Sequence, residues 1–356
     1  MSADIRKGMP DPHLDQAVFR RRFFDQFYDP AFDGSRAELE RLCVIAWEAY
    51  SDGRKAPRTR KAGAEFSDPS YDLSIEWIAA RDAIRVAQAR HVDAIAPSRI
   101  LIVNGSPRSE HTCPGEMSKT WRLIEAARGA FSTLPDTECE VLDLSRLTSE
   151  YGRHIHPCKA CFSTSPALCH WPCSCYPNHA VDQVNDWMNE IYPMWVAAHG
   201  VMIVTPVHWY QAPTILKSML DRLVCADGGN PDPSATHGKD AQRAKAMEEG
   251  WSYPRHLAGR VFSLIVHGDT AGVETLRRIL TDTLTDMQLR PAGKVALLDR
   301  YIGYYTRYST SHADLDADRP LFKEVSNAAF ALSEGVKRYR AGEQVPGADL
   351  GDPRPK

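Results

Sequence analysis

The sequence predicts a doubly wound α/β fold: a five-stranded parallel sheet with helices on both faces, preceded by a helical N-terminal extension. Three observations carry that expectation. Apolar runs at 100–104, 139–143, 200–205, 260–267 and 294–298 have strand length, and several are nearly continuous, as in strands buried on both faces. Helix-period segments at 117–131, 180–198, 213–225 and 272–287 alternate with them, which parallel pairing requires. Three of the strands end in loops of unusual composition, each followed by a helix. Open parallel sheets bind ligands at those carboxyl ends.

The elements follow in order. Residues 1–97 read as the extension: Ala17 to Tyr28 carries Phe19, Phe23, Phe24 and Phe27 at helical spacing, and Asp29-Pro30 breaks it. A second helix spans Arg36 to Tyr50 and a third Asp72 to Ala94. The basic run of Arg54, Lys55, Arg58, Arg60 and Lys61 between them reads as a solvated loop. Residues 98–342 form the sheet domain, which a helix over 320–340 closes. An insertion at 226–259 is too long for an ordinary connection and reads as functional or as an interface. The tail, 343–356, is rich in Pro, Gly and Asp.

The first loop is the most informative. The strand ending at Asn104 leads into Gly105-Ser106-Pro107-Arg108, and a helix begins near Ser118-Lys119-Thr120. A strand, a hydroxyl-rich loop and a helix N-terminus in that order make an anion site, because the first turn exposes unpaired N–H groups. Ser106, Ser118 and Thr120 can donate hydroxyl hydrogen bonds, and the planar fork of Arg108 can hold a phosphate. The spacing of a Walker loop is absent, and so is that of a dinucleotide fingerprint. The second loop is Thr205-Pro206-Val207-His208-Trp209, and the third is His267-Gly268-Asp269.

With these loops and Leu216 to Arg222 (LKSMLDR), the chain resembles the multimeric flavodoxin-like reductases: NAD(P)H-dependent FMN reductases, quinone reductases of the same fold, and iron–sulfur flavoproteins. The match covers roughly Ser98 to Gly342. It implies a flavodoxin-like sheet binding FMN, with the phosphate held by Ser106, Arg108, Ser118, Lys119 and Thr120. The ring would lie against Pro206, Val207, His208, Trp209, His267, Gly268 and Asp269. His208 and His267 are the candidate catalytic groups, although His208 also fits a neutral core histidine and Asp269 also fits a helix N-cap. The implied activity is an NAD(P)H oxidoreductase reducing a quinone, a flavin or another small acceptor, as a dimer or tetramer. A non-enzymatic iron–sulfur electron carrier is the alternative. Tyr301, Tyr304 and Tyr305 are interface candidates.

A cysteine run forms the second constellation. Cys158, Cys161, Cys169, Cys173 and Cys175 are spaced C-x2-C-x7-C-x3-C-x-C, which offers four thiolates to a [4Fe–4S] cluster or to structural zinc. Free thiols or a redox disulfide are the other readings. The iron–sulfur flavoproteins carry a third cysteine where this chain has Thr164. His154, His156 and His170 read as partly exposed loop histidines, and Cys43, Cys139 and Cys225 as small buried core residues. Cys113 reads as a loop thiol.

Composition bounds the rest. A net charge of −3 and a pI near 6.5 over 356 residues argue against a nucleic-acid footprint or a polybasic anchor. No apolar run approaches membrane-spanning length, and the first twenty residues lack the apolar core of a signal peptide, so the expected compartment is the cytoplasm. No Ser-His-Asp triad, paired-carboxylate site or H-E-x-x-H motif competes with these readings.

Overall fold

The computed structural model describes residues 14–53, 56, 58–109, 116–176 and 186–343. Cys113, Arg54, Lys55 and the tail beyond 343 lie outside them.

The extension begins with α1 (Gln16–Phe24), capped by Asp15, whose carboxylate accepts from the Val18 N–H at 2.9 Å. Phe19 packs it onto α2 (Arg36–Ser51), with ring centroids 5.3 Å from Trp47 and 5.0 Å from Tyr50. The helix stops before Tyr28 and continues as a 3-10 turn (Asp25–Phe27), ahead of Pro30. Two strands that the sequence did not predict follow, β1 (Thr59–Lys61) and β2 (Asp72–Ser74), paired antiparallel. The helix expected from Asp72 starts only at Ile75 as α3 (Ile75–Val92). Ser74 is its N-cap, accepting from the Trp77 N–H, and the three residues before the helix pair with β1 instead.

The sheet domain runs β3 (Ser98–Asn104), α4 (Lys119–Phe131), β4 (Thr137–Asp143), a single turn α5 (Arg146–Ser149) and α6 (Met188–Ala197). It continues with β5 (Gly200–Pro206), α7 (Thr214–Leu223), α8 (Ala241–Glu248), β6 (Val261–Gly268) and α9 (Val273–Asp286). The last elements are β7 (Arg290–Pro291), β8 (Leu297–Tyr301), α10 (Ser311–Ala317) and α11 (Arg319–Arg340). The main strands order as β4-β3-β5-β6-β8, every pair parallel. This is the flavodoxin-like arrangement. Two-residue β7 also pairs with β6, and the strand expected from 294 starts at Leu297, because Lys294–Ala296 forms a 3-10 turn.

Side-chain alternation divides the core in two. Leu101, Val103, Val201, Ile203, Phe262, Leu264 and Val266 face α6, α7 and α9. Ile100, Ile102, Met202, Val204, Val261 and Ile265 face α4 and α11. Helix α3 lies on α6 and contributes Ile84 and Ala87 to the first core, so the extension is part of the packed body. Cys43 and Cys225 are buried as expected, but Cys139 is exposed. Its strand, β4, forms the sheet edge, where the outer residues have no covering layer. Among the described residues, no helix is long and apolar enough to cross a membrane.

The insertion folds over the cysteine run. Asn230 N–H donates to Cys169 O at 2.6 Å, Asn230 Nδ2 to Ala167 O, Trp171 N–H to Asn230 O, and Lys239 Nζ to Leu168 O at 3.0 Å. Helix α8 closes the contact with Ala244 against Ala167 and Leu168. The extension reaches the same place, since Trp77 Nε1 donates to Pro172 O and Ser67 N–H to Asp232 Oδ2. His170 is buried here, not partly exposed, with Nδ1 2.6 Å from Ser174 Oγ and Nε2 2.8 Å from Thr236 Oγ1. Both ring nitrogens are satisfied, which is what burial of an imidazole demands.

Candidate active site

Three strand ends build the site. At the first, Asn104 Nδ2 donates to Asp143 Oδ1 at 2.7 Å and its Oδ1 accepts from the Ser106 N–H, so the loop is tied to the edge strand. Gly105 lies against β5, where a Cβ would fall 2.7 Å from Thr205 Oγ1, so no larger residue fits. Ser106 Oγ accepts from the Arg108 N–H. Ser118 is the N-cap of α4: its oxygen accepts from the Trp121 N–H and its hydroxyl donates to Arg108 O.

At the second strand end, Val207 N–H donates to His267 O, and His208 and Gln211 exchange backbone hydrogen bonds at 2.9 Å. Trp209 and Tyr210 form the two-residue turn between them, at φ 49° and 65°. Both central residues at positive φ match a type I′ turn, normally built from Asn and Gly. The turn is seated against Gly272, itself at φ 109°, whose missing Cβ would lie 3.1 Å from Tyr210 Cα. Trp209 is 93% exposed, Tyr210 60%, and His208 is exposed too, which removes the core-histidine reading for His208.

At the third, His267 is buried with Nε2 2.8 Å from Thr120 Oγ1. Burial, and after it the nearby Lys119 charge, push its pKa down to about 3, so the ring is neutral. Asp269 is not a helix N-cap, for α9 is preceded by Gly272 without a side-chain cap. Its carboxylate instead accepts from Lys119 Nζ at 2.7 Å, and Lys119 also donates to Ile302 O at 3.0 Å.

Every residue named above from the three loops as a candidate FMN contact lines one cavity of about 520 Å³, a ligand-pocket size. Tyr210, Thr270 and His312 join them. His312, from α10, is 8% exposed; its Nδ1 stands 3.4 Å from Glu116 Oε2, and its Nε2 is buried with no hydrogen-bond partner. A buried nitrogen without a partner, beside Arg108 in a cavity walled by an anion-type loop, fits a phosphorylated ligand. The sequence of the 98–297 region also decides the family. Its NADPH-dependent FMN reductase profile matches residues 98–297, from β3 into β8 and across all three loops.

The chain belongs to the NADPH-dependent FMN reductase family. It is therefore an NAD(P)H-dependent FMN oxidoreductase by descent, and FMN is the family's flavin. Solved structures similar to it include RosB with bound 8-demethyl-8-formylriboflavin-5'-phosphate, at 15% identity and TM-score 0.47 over 70% of this chain and 82% of that one. The apo form of an NADH:FMN oxidoreductase, EMOB, is similar at 15% identity and TM-score 0.37, covering 72% and 97%. An FMN-dependent NADH-azoreductase from Bacillus anthracis in complex with FMN is similar at 15% identity and TM-score 0.36, covering 66% and 100%. No curated protein matches the chain.

The cysteine run is brought together but not as a metal shell. Among the described residues, no group of three or more His, Cys, Asp or Glu is arranged to hold a metal ion. Cys169 is packed into the core against the sheet, and Cys158 Sγ accepts from the Ala160 N–H. Cys161 Sγ lies 3.4 Å from Cys175 Sγ. The Cys175 hydrogen bond, and then the Lys239 ammonium, hold the Cys161 pKa down to about 6 against the opposing effect of burial. Cys173 is pushed well up by Cys175 and by burial.

Tyr210 and Thr270 were missed although they adjoin predicted residues in the chain. His312 carried no sequence signal, because it reaches the cavity only through the packing of α10. Of the three tyrosines read as interface candidates, Tyr304 is engaged within the chain, donating to Asp318 Oδ2 at 2.9 Å.

Proposed function

We propose that the cavity binds FMN with its phosphate against Ser106, Arg108, His312 and the first turn of α4, and that the enzyme reduces a small planar acceptor, a quinone or a free flavin, at the Trp209–Tyr210 rim. The observation that carries the acceptor class is that aromatic pair: two exposed rings on a turn held at positive φ, at the mouth of the cavity. Strained, exposed aromatic positions of this kind are retained where a ligand is clamped. FMN, when bound, accepts hydride and passes electrons singly or in pairs. The chain supplies position and charge. Arg108 and Lys119 bring cations to the phosphate end, while Asp269 keeps Lys119 anchored. The neutral His267 and the backbone of Pro206 and Val207 offer a flat, weakly polar wall.

We also infer a homo-oligomer, a dimer or tetramer. Support comes from Tyr301 and Tyr305 after β8, whose tilted rings have centroids 4.8 Å apart, with Tyr305 92% exposed. A carrier working through an iron–sulfur cluster remains the alternative, although among the described residues no group of three or more ligand side chains is arranged to hold a metal ion.

Anaerobic mixing tests the reading. The FMN-loaded protein should bleach rapidly with NADH or NADPH, and a quinone or free flavin should restore the oxidised spectrum. Protein that takes up no FMN sinks the cofactor assignment. Reduction only by a protein donor favours the carrier.

A further inference from the structure

Cys161 opens a 3-10 turn (Cys161–Ser163) whose carbonyl accepts from the Thr164 and Ser165 N–H groups, so its position is fixed by backbone hydrogen bonds. Cys161 is half-buried, whereas Cys175 is 7% exposed. The two sulfurs are 3.4 Å apart, outside covalent bonding but in hydrogen-bond contact. Lys239, from the insertion, packs beside this group with its ammonium on Leu168 O, and places a positive charge near sulfurs that would otherwise be uncompensated as thiolates. Cys173 lies beside Cys175 as well and Cys169 is packed in the core, while the sulfur–sulfur contact at 3.4 Å joins Cys161 to Cys175.

We propose that Cys161 and Cys175 form a redox dithiol that closes to a disulfide by exchange with a low-molecular-weight disulfide. The Cys161 thiolate attacks one sulfur of the small disulfide RSSR. A mixed disulfide forms at Cys161, the S–S bond of RSSR breaks, and one RS⁻ leaves. The buried Cys175 thiolate then attacks the Cys161 sulfur, and the second RS⁻ leaves. Two protein thiols are oxidised, RSSR is reduced by two electrons, and the two thiol protons leave on two RSH. The order follows from burial: of the two, Cys161 is the half-buried residue and Cys175 the buried one. Closure would pin the 3-10 turn of Cys161 to the segment that the insertion and Trp77 cover, so the pair links three parts of the chain that are far apart in sequence.

Oxidised glutathione is the probe. The full-length protein, reduced and freed of reductant under anaerobic conditions, is treated with it, alkylated and mapped by peptide mass spectrometry. The expected result is loss of two hydrogens from the intact mass and a Cys161–Cys175 cross-linked peptide that dithiothreitol reverses. Cys175→Ser should accumulate a glutathione adduct on Cys161, and Cys161→Ser should leave Cys175 unmodified. Alkylation of both cysteines after treatment of the wild-type chain overturns the proposal, as does a cross-link to a different cysteine. Stoichiometric iron or zinc in the untreated wild-type protein overturns it in favour of a metal site. The wild-type map decides even where a variant fails to fold.

Discussion

Lys119 Nζ and Asp269 Oδ1 stand 2.7 Å apart across 150 residues of chain, joining the first turn of α4 to the loop after β6. The lysine side chain is 8% exposed and the aspartate 26%, so the pair is only partly screened. It braces two of the three loops that wall the cavity. Asp269→Asn should replace the charged partner of a nearly buried ammonium with a neutral amide and lower stability by roughly 1–3 kcal/mol, the range for losing a charge-assisted hydrogen bond to a buried polar group. Urea denaturation with FMN absent measures it; an unchanged midpoint would show that the pair contributes nothing.

Arg108 carries the second prediction. Arg108 lines the cavity with Ser106, where a phosphate would accept from its guanidinium. Arg108→Ala should weaken FMN binding by about 1.5–3 kcal/mol, the range for hydrogen bonds to charged groups, or roughly 10- to 150-fold in Kd. Flavin fluorescence titration reads this directly. Equal affinity in the variant would move the phosphate site elsewhere.

His312 should matter because its buried Nε2 lacks a partner within the protein. A ligand phosphate would accept from it, so His312→Phe, which keeps the ring volume, should weaken FMN binding by about 1.5–3 kcal/mol with little loss of riboflavin affinity. An equal loss for both flavins would assign His312 to packing alone.

The trimmed aromatic rim separates acceptor binding from flavin binding. Trp209→Ala should raise the KM for a quinone several-fold and leave FMN affinity close to wild type, because the ring is 93% exposed and lies at the mouth. Steady-state kinetics with a saturating nucleotide decide it, and an unchanged KM would place the acceptor on another face.

Acid should destabilise the fold. Burial, first among the causes, pushes His267 and His91 down to about 3 and His199 to about 4. His199 is held as a neutral ring, its Nδ1 accepting from the Arg99 N–H and its Nε2 hydrogen-bonded to His91 O. The unfolded chain protonates these groups near their ordinary 6.5. Between about pH 6.5 and about pH 3 it therefore binds more protons than the native state, and stability falls as pH falls through that window. Denaturation midpoints should be lower at about pH 5 than at about pH 7.5. A flat profile would contradict the neutral assignment.

Local pattern was enough for the sheet and its three loops. Each apolar run and the Gly, Pro, Ser or His that ends it are neighbours in sequence, so periodicity and punctuation disclosed them, and those loops line one cavity. The same reasoning overextended the helix at Asp72, because strand pairing with Thr59–Lys61 is a contact that helical periodicity does not contain. It also grouped five cysteines by spacing alone. Spacing counts sulfurs, and only the fold says which of them point at each other.

By itself, then, the sequence determined the α/β alternation, the order of strand, loop and helix at the candidate site, and the presence of a thiol-rich segment. Those features depend on residues a few positions apart. Tertiary structure alone decided that Lys119 meets Asp269, that His312 enters the cavity from α10, that the insertion covers the cysteine run, and that Cys161 faces Cys175. Each joins segments whose separation in the chain carries no periodic signal. Their meeting is set by how the whole chain packs its apolar faces, so it becomes visible only once the core has closed.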